Sequence, residues 1–165
     1  TSDFGKPSVT KDGAGAVTSV TWQKADADAL DEDLAYYRLT LKVKTPDKPF
    51  TTLYFAAHQT CRAKDGTLTT VDWVGLPGDP VPDGGKAAEP AAAFPLLPAR
   101  SPGWNQYTLP VAVTDLAMYF KDAAIVWKGS QAFSANTSAQ AQIKSTAGVT
   151  ALTSLAAGDA VWVKY

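Results

Sequence analysis

The chain has 165 residues, of which 15 are basic and 16 acidic, so we expect one domain or one domain with a smaller companion. This balance excludes the basic surface of a nucleic-acid-binding domain, and no apolar run reaches the ~20 residues of a membrane-spanning helix. One histidine and one cysteine are too few for a structural zinc site, which needs about four nitrogen or sulfur ligands.

The N-terminal third predicts short β-elements separated by a polar loop. Its first residues, TSDFGKPSV, lack the basic and apolar regions of a signal peptide, so we expect a chain that is not a precursor. Lys11-Asp12-Gly13 predicts a turn, and residues 17–22 predict a strand. Residues 35–44 alternate apolar and polar side chains, as in a strand of an antiparallel sheet with one face in water.

An acidic segment precedes that alternating stretch. Its aspartates are hard oxygen ligands, so a calcium loop is one interpretation and a solvated acidic loop is the other. The EF-hand pattern is broken because an aspartate stands where the loop requires glycine. The aspartates are Asp26, Asp28, Asp31 and Asp33.

Residues 51–79 predict a β-hairpin that turns at Asp65-Gly66. Its arms carry the only histidine, His58, the only cysteine, Cys61, and one of the five tryptophans, Trp73. A two-residue turn would place His58 opposite Trp73, with Cys61 on the other face. We therefore expect the imidazole of His58 to lie beside the indole of Trp73, and these two side chains form a candidate functional surface. We do not expect His58 and Cys61 to share a metal ion. Cys61 is either a small core residue or half of a disulfide.

Prolines and glycines interrupt residues 75–99, which predict a linker or an extended segment at a sheet edge. The apolar stretch 91–99 indicates that the second half of this proline-rich segment docks on a surface.

From Gly103 onward the sequence pattern becomes mixed α+β. Residues 106–113, 123–127, 149–155 and 160–165 predict strand-like pieces, Thr114 or Asp115 caps a short turn, and Asn136 or Ser138 caps a helix that ends before Gly148.

Catalytic motifs do not stand out. The sequence contains no nucleophile elbow, phosphate loop or metalloprotease motif, and no serine is marked as a partner for His58. We therefore predict no catalytic, cofactor-binding or metal-binding residues and expect no enzyme. The five tryptophans and six tyrosines form either a platform on which sugars stack or ordinary core aromatics.

Several short motifs occur together in a fixed order. These are VTSVTW (17–22), the strand beginning at Tyr36-Tyr37, FTTLYFAAHQTC (50–61), VDWVGLPG (71–78), and Glu89-Pro90 before LLPA. Together they resemble the YcnI-like family of exported, copper-associated bacterial β-sandwich proteins, over roughly residues 8–99. The C-terminal part resembles an extension found in longer members.

The resemblance also implies where copper binds. In the family, an N-terminal histidine holds the metal, whereas this chain begins with Thr1 at a point that resembles the middle of the domain. We therefore expect copper only in an intact, longer form and none in this chain. Longer members carry a second cysteine on the strands that have no counterpart here, which implies a disulfide partner for Cys61.

The predicted fold is mainly β, with an antiparallel β-sandwich over residues 1–99 and a small α+β appendage over residues 100–165. Residues 106–113 are expected to pair with an open edge of the sandwich, and the alternative is that this edge exchanges a strand with a second copy of the chain. The expected function is that of an exported, non-enzymatic binding or chaperone-like module from a copper-handling family, located in the periplasm, outside the cell or at its surface. Its expected partner is another metal-handling protein or a second copy of the chain. The alternative is a structural or adhesive surface module that contacts protein subunits or glycans.

Overall fold

A computed structural model describes residues 4–25, 38–81 and 85–165. The chain divides into two compact units, Thr1–Lys44 and Thr45–Tyr165. The predicted acidic loop, with its calcium alternative, lies outside the described residues, as do the first three residues of the predicted 35–44 strand.

The first unit contains an antiparallel hairpin of β1 (Ser8–Lys11) and β2 (Val17–Thr21). Asp12 closes its turn, because its Oδ1 accepts hydrogen bonds from the backbone N–H groups of Ala14 and Ala16, both at 2.9 Å. Such local side-chain bonds are the reason aspartate favours turns. The predicted turn and strand are therefore confirmed.

The prediction of a strand over residues 35–44 is wrong for its described part. Residues 38–44 are exposed and form no strand. Alternation shows only that one face could be buried, whereas a strand also needs a neighbour to pair its backbone groups. Within the described ranges, no strand pairs with this segment.

The second unit begins with two small sheets. Strand β3 (Thr52–Phe55) pairs antiparallel with β7 (Ala92–Pro95). Strand β4 (Ala57–Arg62) pairs antiparallel with β5 (Leu68–Gly75), which pairs in parallel with β6 (Glu89–Pro90). The second half of the proline-rich segment therefore docks as an edge strand, as predicted.

Residues 104–164 form a five-stranded mixed sheet with two helices. The strand order is β11-β10-β9-β12-β8, in which only the β10–β11 pair is parallel. The elements are β8 (Trp104–Thr108), α1 (Leu116–Phe120), β9 (Ile125–Lys128), β10 (Gln131–Phe133), α2 (Thr137–Ser145), β11 (Thr150–Ala151) and β12 (Ala160–Lys164). The predicted class, mainly β with antiparallel sheets and a small C-terminal α+β part, is confirmed.

Both helices begin at residues that the sequence offered as caps. Asp115 accepts a hydrogen bond from the Met118 backbone N–H, and Asn136 accepts one from that of Ala139, each at 3.0 Å. These bonds satisfy N–H groups that have no partner inside the helix. Of the two alternatives at each helix, the structure selects Asp115 and Asn136.

The expected pairing of residues 106–113 with the sandwich edge is wrong. Strand β8 instead pairs antiparallel with β12, with Tyr107 opposite Val161 and Asn105 opposite Val163. Both strands alternate inward and outward side chains, so their inward faces bury together. The C-terminal strand β12 is thus the partner of β8, because the two strands then turn their inward side chains toward the same core.

Most of the buried core lies in residues 109–163. The exception in the main cluster is Phe50, which is 3% exposed and whose ring lies 5.6 Å from Tyr107 and 5.7 Å from Phe120, centroid to centroid. Phe50 has φ = 64°, a conformation that non-glycine residues adopt rarely and that the surrounding packing must enforce. The part predicted as an appendage therefore carries the main core, and Phe50 joins the preceding segment to it.

Replacing Phe50 by alanine should destabilise the second unit by about 3–5 kcal/mol, because the ring is fully enclosed. Urea denaturation followed by circular dichroism measures the change. Phe94→Ala is the matched control: Phe94 is 53% exposed, so the free energy of unfolding should change by less than about 1 kcal/mol. Equal losses for both variants would contradict the assignment of Phe50 to the core.

Candidate functional site

The predicted hairpin forms, but its loop has three residues rather than two. Gly66 N–H donates to the Ala63 carbonyl at 2.9 Å, and Ala63 N–H donates to the Thr67 carbonyl at 2.8 Å. Gly66 has φ = 87°, which suits the left-handed position that ends a three-residue loop. Because the loop is one residue longer, the register of the two strands shifts by one.

This shift overturns the predicted pairing of His58 with Trp73. His58 lies opposite Asp72, and its Nδ1 is 2.8 Å from Asp72 Oδ1, while Trp73 lies opposite Ala57. Trp73 therefore shares its face with Cys61, not with His58. The separation of His58 and Cys61 onto opposite faces agrees with the predicted strand parity.

Cys61 is an exposed free thiol. The Gln59 side-chain amide donates to its sulfur at 3.1 Å. As the only cysteine in the sequence, it has no partner for a disulfide within the chain. The core-residue alternative does not hold, and the disulfide alternative requires a cysteine from elsewhere.

The described residues do not fit a copper or zinc site. Across residues 4–25, 38–81 and 85–165, no three His, Cys, Asp or Glu side chains come together as a metal-binding group. His58 and Cys61 diverge, and a histidine with one carboxylate is too few ligands for tight binding. We therefore assign no metal chemistry to the hairpin.

The sheet of residues 104–164 carries the more distinctive surface. In β12, Val161 and Val163 are fully buried, whereas Trp162 and Lys164 point away from the core. The same alternation in β8 turns Trp104, Gln106 and Thr108 outward. Tryptophans thus stand on the face of the sheet opposite the core.

Pairing of three neighbouring strands brings three tryptophans together. Trp162 lies directly opposite Trp127 of β9, and Trp104 of β8 lies opposite Lys164, two residues along β12 from Trp162. Directly paired Cβ atoms lie about 4.5–5.5 Å apart, and diagonal positions lie about 7–8 Å apart. We call Trp104, Trp127 and Trp162 the tryptophan face.

The tryptophan face is open to solvent. Trp104 is 51% and Trp162 is 49% exposed, while Trp127 is half-buried. The three side chains and Gly129 line an open depression. Gln106 lies opposite Trp162 on the same side of the sheet, so an amide stands among the indoles.

The charge near this face is positive. Lys164 Nζ lies 5.9 Å from the centroid of the Trp104 ring, a cation–π distance. The acidic side chains of residues 100–165 are engaged elsewhere: Asp115 caps α1, Asp122 pairs with Arg100, and Asp159 pairs with Lys128. Lys164 therefore has no carboxylate partner in the described part of the chain.

The Lys128–Asp159 pair fixes the strands beneath the face. Lys128 ends β9 and Asp159 precedes β12, so the pair ties together the strands that carry Trp127 and Trp162. The hydrogen bond from Lys128, and a second from the Ala156 backbone N–H at 2.7 Å, hold the pKa of Asp159 below its ordinary value of 3.8.

The tryptophans and tyrosines of the sequence leave a sugar-binding platform open as an alternative, but the sequence alone does not show which of them would form it. The local signal is a tryptophan between two valines at 161–163 and a tryptophan after Val126. That signal gives the outward direction of each indole only once the pairing is known. Residues 104, 127 and 162 are far apart in the sequence, and nothing local predicts that their strands are neighbours.

Residues 1–96 match the family model described as "Domain of unknown function (DUF1775)". The chain belongs to the DUF1775 family. The match includes the hairpin with His58, Cys61 and Trp73, whereas the tryptophan face lies beyond it. No curated protein and no solved structure matches this DUF1775 chain. Among its described residues, no helix is both long and apolar enough to cross a membrane.

We expect Asp159→Asn to flatten the acid branch of the stability profile. A carboxyl group with a lowered pKa in the folded state contributes stability above its unfolded pKa and loses it as the pH falls through the folded value. The wild type should therefore lose stability below about pH 4, and the variant should lose less. Chemical denaturation between pH 2.5 and 6 measures this.

Asp122→Asn is the control for this experiment. Its partner Arg100 lies 3.4 Å away in an exposed pair, so its removal should leave the acid branch as in the wild type. If Asp159→Asn and the wild type lost stability in parallel, Asp159 would not hold β9 and β12 together.

Proposed function

We propose that this DUF1775 chain is an exported, non-enzymatic binding module that contacts its partner through the tryptophan face. One observation carries this proposal: three indoles from three paired strands stand on one side of a sheet whose other side is the core. Exposed apolar patches on a rigid scaffold are typical of binding sites.

Two properties of the tryptophan face support this proposal: it exposes apolar area to water, and the strands that carry it are rigid. Each outward tryptophan leaves apolar area in water that a partner would cover, at about 25 cal/mol per Å². The indoles stand on strands held by backbone ladders and by buried valines, so little freedom is lost on binding. Tryptophan is also one of the residue types that are enriched among binding hot spots.

The link to copper handling rests on the family region. Residues 1–96 belong to DUF1775, and their motifs resemble the YcnI-like copper-associated proteins. We propose that copper belongs to a form with the N-terminal histidine of that family and that the C-terminal sheet supplies a separate contact surface. The exported location in a bacterium is proposed from the same resemblance. So is the kind of partner, which is another metal-handling protein or a second copy of the chain.

Copper(II) titration tests the metal part of the proposal. We expect no stoichiometric binding by this chain and tight binding by a version extended to the family's N-terminal histidine. The His58→Ala variant of each form is the control. It should bind copper as its parent does, because His58 and Asp72 have no further metal ligands beside them among the described residues. Stoichiometric copper binding by this chain that His58→Ala abolishes would move the site to the hairpin. No binding by either form would favour a surface module without copper.

Co-sedimentation with isolated bacterial cell envelopes tests the contact surface. We expect the wild type to bind and Trp104→Ala to lower the affinity roughly tenfold, as for an aromatic anchor of a binding surface. Trp73→Ala, a half-buried tryptophan on the hairpin, should bind like the wild type. If the wild type did not bind, or if Trp104→Ala and Trp73→Ala lost affinity equally, the tryptophan face would be rejected as the contact surface.

A further inference from the structure

The size of the tryptophan face points to a chain-like ligand rather than a second folded protein. It spans three strands of at most five residues, which is roughly 17 Å by 14 Å at the usual rise and strand spacing. A stable protein interface buries about 800 Å² on each partner, several times the area of this rectangle. A narrow polymer that lies across the strands fits it better.

The mixture of side chains matches a sugar polymer. A pyranose ring has a face of C–H groups, which packs on an indole, and a rim of hydroxyl groups, which needs hydrogen-bond partners. Gln106 stands opposite Trp162 and supplies both donors and an acceptor, and Thr108 adds a hydroxyl two residues along the same strand. The hydrocarbon region of a lipid bilayer would instead offer the Gln106 amide no hydrogen-bond partner.

The charge selects the kind of sugar polymer. Lys164 stands on the same face, close to the ring of Trp104, and no acidic side chain of the described chain pairs with it. Its ammonium group is therefore free to bind an anion carried by the ligand. A carboxylate on a sugar ring that stacks on Trp104 would lie within reach of Lys164.

We propose that the tryptophan face binds a carboxylated polysaccharide, with sugar rings stacked on Trp104, Trp162 and Trp127 and a carboxylate on Lys164. This inference rests on the proposed function in taking that face as the contact surface, and it adds the class of ligand. Gln106 holds ring hydroxyls between the indoles. The indoles supply affinity for any flat sugar chain, and Lys164 supplies the preference for an acidic one.

Affinity electrophoresis and calorimetry with two matched polymers test this. The probes are polygalacturonate and its methyl ester, which has the same rings without the negative charge. We expect the wild type to bind polygalacturonate more tightly than the ester, by roughly twofold to fivefold, as for an exposed ion pair. Lys164→Gln should bind the two polymers equally. Lys144→Gln, an exposed lysine on α2, should keep the wild-type preference.

Tryptophan variants separate stacking from charge. Trp104→Ala, on the edge strand, and Trp162→Ala, on a central strand, should each weaken binding to both polymers by roughly tenfold, while Trp73→Ala should not. Melting curves show whether each variant folds. If Trp162→Ala unfolds, Trp104→Ala and Lys164→Gln still decide the question.

Several results would overturn the inference. One is that the wild type does not bind polygalacturonate, or binds the ester more tightly. Another is that the tryptophan variants bind as the wild type does. A third is that Lys164→Gln and Lys144→Gln lose the preference for polygalacturonate to the same extent. Binding to anionic lipid vesicles in place of the polymers would make the face a membrane contact, and a concentration-dependent dimer abolished by Trp162→Ala would make it a self-contact. If envelopes are bound through Trp104 but polygalacturonate is not, the proposed function stands and only the ligand class fails.

Discussion

The arrangement of the C-terminal sheet depends on the register of one strand, β12. Val161 and Val163 are completely buried, so Trp162 between them must point to the opposite side. A slip of one residue would bring Trp162 into the core and turn both valines into water, which makes the register strongly specified. Because β12 lies between β8 and β9, its register also sets the positions of Trp104 and Trp127. The packing of two valines thus positions all three indoles.

The same core connects the family region to the C-terminal part. Phe50 is buried among aromatic rings from residues 107–120, and Thr52 Oγ1 lies 2.7 Å from the Tyr119 hydroxyl oxygen. The edge strand β7 then pairs with β3, just after Phe50, so the proline-rich segment is held near this core. Within the unit Thr45–Tyr165, the DUF1775 match is therefore joined to the extension by side-chain packing at Phe50 and Thr52.

Features decided by neighbouring residues could be predicted, and features decided by strand pairing could not. Asp115 and Asn136 cap their helices because each bonds to an N–H three residues ahead, which a sequence pattern can show. Asp65-Gly66 fits both a two-residue and a three-residue loop, since each needs glycine at positive φ, and the choice moved His58 from Trp73 to Asp72. The tryptophan face depends on the pairing of strands that are far apart in sequence, such as Trp104 with Lys164, so local patterns could not show that these strands are neighbours.

Rigidity explains why this face, rather than the other exposed aromatic residues, is suited to binding. Phe94 and Tyr54 are also exposed, but they belong to a two-stranded sheet, and such a pair has little stability of its own. The tryptophan face is backed by residues with no exposure and is tied at one end by Lys128 and Asp159. A ligand that binds there need not order the strands, whereas a ligand on an unsupported pair would lose part of its binding energy in ordering them. The core beneath the indoles is thus what turns exposed apolar area into a binding surface.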